Sequence, residues 1–316
     1  MTKPTCHICL QPLENGEDLF HATCCKKLFG STRPPIFPYA WDELNQMAEQ
    51  IISRHITVPG VQPKLSMHIE RGGRSQDSRL TLVGLEGGFI LKPPVKAYPE
   101  MPELEHLTMR MAGCFGIATA ECGLIPMEDG QLAFITKRMD RIGNNKLHME
   151  DMCQLTDKLT EQKYRGSMEQ IGRAILRHCD NALLDALRFF EITLFSFLTG
   201  NSDMHLKNFS LLYQPGGAVA LSPSYDLLPT RLLLPEDLEE SALTINGRKR
   251  RLDRTDFLRL AESLRLNDKQ VANVFSRFSH HLDKAFQILE SGLCSQAMKE
   301  QYTALIQDRS ERLNLR

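Results

Sequence analysis

Two short acidic segments constrain this chain most: Gly200-Asn201-Ser202-Asp203-Met204-His205-Leu206-Lys207-Asn208 and Ser222-Pro223-Ser224-Tyr225-Asp226. The first closes the densest apolar run of the sequence, Leu187 to Leu198, whose only charged residues are Arg188 and Glu191. A helix that buries such a run fixes the position of whatever follows it. Gly200-Asn201 should break that helix and lift Asp203 into a loop, a placement suited to a catalytic base. Asn208 comes five residues later, and a hairpin over Phe209 to Leu221 should bring Asp226 back beside Asp203. An Asp that accepts a hydroxyl proton, with an Asn and a second Asp holding Mg2+ through hard oxygens, is the plan of a phosphoryl-transfer site fed by ATP. His205 would hydrogen-bond phosphate or orient Asp203. The competing reading is a polar turn in which Asp203 and Asn201 make local side-chain caps.

The first half of the chain carries the nucleotide candidates. Lys92 ends the apolar strand of Gly88-Phe89-Ile90-Leu91-Lys92-Pro93-Pro94 and would reach α- and β-phosphates. It needs a carboxylate to hold it, Glu105 first and Glu103 second. A strand-end lysine snorkelling to solvent is the alternative. Gly60-Val61-Gln62-Pro63-Lys64 would cover the phosphates, with Lys64 adding charge, although one glycine fits an ordinary turn as well. Thr136 to Arg141 joins the two halves. A kinase hinge would face adenine there, and Asp140 the ribose; a plain charged linker is the other reading.

Hydrophobic periodicity sets the expected architecture, α+β and bilobal, with a strand-rich first lobe and a helical second. Residues 1–38 form a Cys/His-rich head and proline-spaced linker, 39–140 the first lobe and 141–316 the second. A helix is expected over Trp41 to Ile52. Strands are expected at Lys64 to Ile69, Leu80 to Val83, Phe89 to Leu91 and Leu132 to Ile135, with a helix from Glu103 to Phe115 closed by Gly116. Helices follow at Ser167 to Leu176, Ala182 to Leu198, Arg254 to Leu264 and Lys269 to Leu289. A chain of 316 residues, 42% hydrophobic and 24% charged, can bury a sizeable core. A net charge of −1 excludes a whole-chain field for nucleic acid or membrane. No stretch reaches the roughly 18 apolar residues of a membrane span, and no signal-peptide pattern opens the chain. Nine cysteines, an odd number, then point to a reducing cytoplasm.

These residues together resemble the HipA family of bacterial toxin kinases. The matching segments are Val58 to Lys64, Phe89 to Pro93, Glu105, Arg138 to Arg141, Glu150 to Gln154, Lys163-Tyr164, Gly200 to Phe209 and Tyr225-Asp226, in family order. The resemblance implies a serine/threonine kinase with a protein-kinase-like fold related to phosphoinositide kinases. It makes Asp203 the base, puts Asn208 and Asp226 on Mg2+, and brings Lys92 and His205 to the phosphates. Pro59, Gly60, Val61, Gln62, Pro63 and Lys64 would cover the triphosphate. Lys137, Arg138 and Met139 would meet adenine, with Tyr225 also in the nucleotide set. The family silences itself by phosphorylating a hydroxyl just before that glycine, here Thr57; Pro59 stands where relatives carry a second serine. Too few residues precede the glycine for the long form, so the chain resembles the short, HipT-type members. That implies a HipS-like small antitoxin and a HipB-like DNA-binding antitoxin as partners. It also implies an aminoacyl-tRNA synthetase, of tryptophanyl type, as substrate.

Two features stand outside the kinase plan. Cys6, Cys9, His21 and Cys24 have zinc-ligand types and spacing, with Cys25 as a spare; buried reduced thiols are the alternative. Arg248-Lys249-Arg250-Arg251 is the one concentrated basic patch, either an operator-DNA contact made through the antitoxin complex or a solvated loop. A small-molecule phosphotransferase and a non-catalytic corepressor remain rival functions.

Overall fold

The computed structural model describes residues 4–14, 16–44, 46–47, 62–71, 77–83, 86–143 and 145–315. They divide into two compact units, the first of residues 1–110, 120–138 and 291–294 and the second of 111–119, 139–290 and 295–316.

The first unit contains α1 (Ala22–Phe29), β1 (Leu65–Glu70), β2 (Arg79–Leu82), β3 (Phe89–Lys92), most of α2 (Met101–Cys114), β4 (Cys122–Pro126) and β5 (Leu132–Lys137). The strands form one antiparallel sheet in the order β2-β1-β3-β5-β4. In the central pair Leu91 faces Ile135 and Lys92 faces Phe134. Residues 41–44 and 46–47 of the expected Trp41 to Ile52 helix are helical. The Cys/His-rich head shares one core with the sheet: Cys6, Ile8, Phe20, Cys25 and Leu28 pack among Leu65, Met67, Leu91 and Ile135. So small a segment buries too little apolar surface to stand alone.

The second unit is mostly helical. It begins with the short strands β6 (Arg141–Ile142), β7 (Asn145–Lys146) and β8 (Met149–Asp151), then α3 (Met152–Leu155), α4 (Met168–His178) and α5 (Ala182–Leu198). The hairpin β9 (Ser210–Tyr213) and β10 (Val219–Leu221) pairs with β8 in a three-stranded sheet. The helices α6 (Thr230–Leu233), α7 (Arg254–Ser263), α8 (Asp268–Glu290) and α9 (Gln296–Arg312) complete it. The sequence reading contained neither β8 nor α9. β8 is only three residues long, and α9 lacks a clean apolar stripe, burying Tyr302 and Ile306 beside Arg309 and Ser310.

The helix α5 is the pillar of this unit. Phe189, Phe190, Leu194, Phe195, Phe197 and Leu198 are all buried. Its buried hydroxyls bond back to the preceding turn, Thr193 to the Phe189 carbonyl and Ser196 to that of Ile192. The helix stops by a paired C-terminal cap: Gly200 N–H donates to Phe197 O at 3.1 Å and Asn201 N–H to Ser196 O at 2.8 Å. Gly200 takes φ +70°, and an added Cβ would lie 2.5 Å from Leu305 Cδ2 and 3.2 Å from Arg231 Cβ. Gly200→Ala should therefore lower unfolding stability by about 1–3 kcal/mol, read from the urea midpoint at constant slope.

Candidate functional site

The cap sets the course of the acidic loop. Asn201 is 2% exposed, and its side chain is used at both ends. Its Oδ1 accepts the Asp203 N–H at 3.2 Å, and its Nδ2 donates to the Asp226 carbonyl at 3.3 Å. One carboxamide thus ties the two acidic segments together. Ser202 is pinned beside it, its N–H donating to Thr230 Oγ1 at 2.8 Å. The second segment is held independently, as Ser224 N–H donates to Ala118 O at 2.8 Å. Asp226 adopts φ +56°, a left-handed conformation that Asp tolerates and that concentrates at functional turns.

Around this joint, Asp203 Oδ1 accepts the Tyr164 hydroxyl at 2.8 Å. Its Oδ2 makes no hydrogen bond among the described residues. Partial burial and the adjacent Asp203 carboxylate raise the Tyr164 pKa, so the phenol stays a donor. Asn208 is buried, and its Nδ2 donates to the Asp203 carbonyl at 3.1 Å. The Asn208 Oδ1 is thereby left without a hydrogen bond among the described residues. His205 is buried edge-on against Tyr164, with ring centroids 5.2 Å apart. Burial pushes its pKa down to about 4, with Lys163 adding to the shift and Asp203 and Asp226 opposing it. The ring is neutral near pH 7. Its Nδ1 is buried without a partner among the described residues.

A second layer supports the loop. Asp151 caps α3 through Oδ1, accepting from Cys153 and Gln154 N–H, and pairs through Oδ2 with Lys207 Nζ at 2.7 Å. The Tyr225 hydroxyl donates to Lys207 O at 2.9 Å and lies 2.6 Å from Ser210 Oγ. The sequence reading gave no role to Asn201, Tyr164, Asp151 or Lys207 in the chemistry. Asn201 and Lys207 stood inside the quoted motif, and Tyr164 and Asp151 inside family segments, so the signal was present.

In the first unit, Lys92 and Glu105 are both buried and meet at 2.6 Å, Nζ to Oε1. Lys92 Nζ also sits 5.4 Å from the Phe134 ring centre. The lysine points inward, not to solvent, and its carboxylate is Glu105 rather than Glu103. Gln62 Nε2 donates to Pro93 O at 3.2 Å, next to Lys92. Pro63 is half-buried and Lys64 exposed at the start of β1. Lys137 and Arg138 follow the Lys92 strand closely: Arg138 N–H donates to Gly88 O at 2.9 Å. Met139 and Asp140 belong to the second unit, where Asp140 is buried and ion-paired to Arg141 at 2.6 Å. Thr57, Pro59, Gly60 and Val61 lie outside the described residues.

The basic patch is unevenly engaged. Lys249 pairs with Glu239 at 3.1 Å and Arg248 approaches Asp256 at 3.9 Å. Arg250 and Arg251 are exposed and have no ion pair among the described residues. In the head, the ligand atoms of Cys6, Cys9, His21 and Cys24 all lie within 4.8 Å of one another, while Cys25 stands apart in the core. No helix among the described residues is long and apolar enough to cross a membrane.

Comparison with known proteins places this arrangement. The model of the HipA-like C-terminal domain matches residues 56–286, and the chain belongs to that family. A Haemophilus influenzae protein named "Putative kinase" is 31% identical over 71% of this chain and 67% of its own length. The serine/threonine-protein kinase toxin HipA of Shewanella oneidensis is 26% identical over 58% of this chain, which spans only 45% of that protein. Among solved structures, HipA in the Shewanella oneidensis toxin–antitoxin complex with HipB and operator DNA superimposes with a TM-score of 0.66. It is 20% identical and covers 84% of this chain and 71% of its own. The fold is α+β and kinase-like, as the sequence led us to expect.

Two outcomes follow from the burial of these groups. Glu105→Gln removes a buried carboxylate paired with Lys92 and should cost about 3 kcal/mol, read from denaturant unfolding. His205 and His106, the latter pushed by burial to about 3, both sit below the ordinary histidine value of 6.5. Unfolded chains bind protons on these rings as pH falls below 6.5 while the folded state does not. Their stabilising contribution is therefore present above that pH and is lost as pH falls toward 4. The urea midpoint should fall over that window, and the fall should be shallower in His205→Gln.

Proposed function

We propose that this chain is an ATP-dependent serine/threonine protein kinase that acts as the toxin of a toxin–antitoxin system. The observation that carries the reading is the Asn201 carboxamide, which binds the Asp203 amide and the Asp226 carbonyl at once. A proton acceptor and a hard-oxygen ligand are thereby held on one joint. In this reading the acceptor hydroxyl gives its proton to Asp203 Oδ2, while Tyr164 holds Oδ1 and fixes the carboxylate plane. The γ-phosphoryl moves to that hydroxyl and ADP departs. Lys92, positioned by Glu105, meets the α- and β-phosphates. Neutral His205 offers a hydrogen bond to phosphate without adding charge.

The donor set fits Mg2+: Asn208 is oriented by its bond to the Asp203 carbonyl, and its Oδ1 and the Asp226 carboxylate are hard oxygens. Asn208 and Asp226 would hold Mg2+, which would offset the negative charge of the phosphates. By family resemblance, residues 59–64 cover the triphosphate, residues 137–139 with Asp140 and Tyr225 complete the nucleotide set, and Thr57 is the autophosphorylation position. The resemblance likewise supplies the short-form assignment, a HipS-like and a HipB-like antitoxin, a cytoplasmic setting and a tryptophanyl-type aminoacyl-tRNA synthetase as substrate. Arg250 and Arg251, exposed and without ion pairs among the described residues, suit operator DNA within the antitoxin complex.

Asp203→Asn should lower phosphoryl transfer by about 10²-fold or more without unfolding the chain, and Tyr164→Phe by less, since it removes only an orienting bond. Transfer is read from labelled ATP in a cell extract. A labelled synthetase band supports the toxin reading, and label confined to small molecules supports the rival phosphotransferase. No turnover in the unmodified protein, with ATP and Mg2+ supplied, would leave only the corepressor.

A further inference from the structure

We propose that Cys6, Cys9, His21 and Cys24 form a structural zinc site, and that this site seats α2 through the carbonyl of Ile8. The four ligand atoms come from two local structures that hold them together. The turn after Cys6 is closed by Leu10 N–H donating to Cys6 O at 2.9 Å, with Leu10 at φ +61°. His21 is the N-cap of α1, and Cys24 lies in that helix's first turn. A zinc ion with sulfur about 2.3 Å and nitrogen about 2.0 Å away holds tetrahedral ligand atoms roughly 3.6 Å apart. Cys9 Sγ and Cys24 Sγ stand 3.2 and 3.8 Å from His21 Nδ1.

The surroundings match a metal site better than a packing accident. His21 Nε2 lies 3.1 Å from the Pro12 carbonyl. The ring proton belongs on that nitrogen, which leaves the Nδ1 lone pair facing the sulfurs. That is how outer partners orient a ligating histidine. His21 N–H donates to Cys6 Sγ at 3.5 Å, a bond that favours the thiolate. Cys25 serves as an internal contrast. It is adjacent in sequence to Cys24 but fully buried where Cys24 and Cys9 are half-buried, and it packs into the hydrophobic core outside the cluster.

The site also touches the sheet and α2. Leu124 N–H of β4 donates to His7 O at 2.9 Å. At Gly123 an added Cβ would lie 2.8 Å from Ile8 Cγ1, so strand and turn are in close contact. His106 Nε2 lies 2.9 Å from Ile8 O and donates to it, and the neighbouring Glu105 holds Lys92. Fixing the turn therefore fixes a hydrogen bond one residue from the buried ion pair. The inference does not rest on the phosphotransfer reading, since an inactive protein would carry the same metal.

The test uses the full chain purified with zinc present and thiols reduced. Elemental analysis should give about one zinc per chain, falling at least about tenfold in the Cys9→Ser/Cys24→Ser variant and unchanged in Cys25→Ala. Cobalt exchanged into the unmodified chain should show tetrahedral ligand-field bands with thiolate charge transfer. This readout decides the matter if the double variant does not fold. Chelation should speed amide exchange across residues 104–110. Zinc below about 0.1 per chain, zinc retained by the double variant, or cobalt without thiolate bands would overturn the site. Unchanged exchange across 104–110 would overturn the seating of α2.

Discussion

One buried carboxamide, that of Asn201, organises the catalytic-type loop, and it is placed by the end of α5 rather than by the loop itself. The apolar helix cannot shift without opening a packed core. Its left-handed stop at Gly200 turns the chain once, and the next residue inherits a fixed position. From there Asn201 meets one partner 25 residues away and another only two away. A buried amide with both ends satisfied tolerates little displacement, because any slip leaves a polar group without a partner. The rigidity of the site is borrowed from hydrophobic packing and delivered through hydrogen bonds.

The first unit solves a similar problem with charge. A buried lysine and a buried glutamate are costly apart and acceptable together. The register of β3 against β5 puts Lys92 opposite Phe134, so its ammonium lies beside that ring and the Glu105 carboxylate. The helix carrying that carboxylate is in turn bonded to the head through His106. Such an arrangement holds a long, flexible side chain in one conformation, which a solvated lysine would not adopt.

Much of this was legible in the residues. The α5 bounds follow from an unbroken apolar run with glycine after it, and the Lys92 strand from its apolar run before a proline pair. The Asp203, Asn208 and Asp226 set was readable because the spacing of a loop and hairpin is local. Choosing Glu105 over Glu103 was also within reach, since a helix periodicity decides which face carries each. The tie from Asn201 to the Asp226 carbonyl and that from Asp151 to Lys207 were not, because they join residues 25 and 56 positions apart, and no local pattern marks such pairs. The short strand β8 escaped for the same reason: it exists only because β9 pairs with it. The union of the head with the sheet core was hidden too. A cysteine-rich segment beside a proline-rich linker reads as separate, whereas its few apolar side chains need a surface to cover.

Asp151 divides its two oxygens between different tasks, one closing the start of α3 and the other gripping Lys207 at the edge of the acidic loop. A helix terminus and the acidic loop thus share a single anchor. Loss of that anchor would let both ends drift together, so damage at a residue 56 positions from Lys207 would imitate the removal of a side chain in the acidic loop itself. Kinetic data alone would not distinguish the two; a measure of local backbone order would.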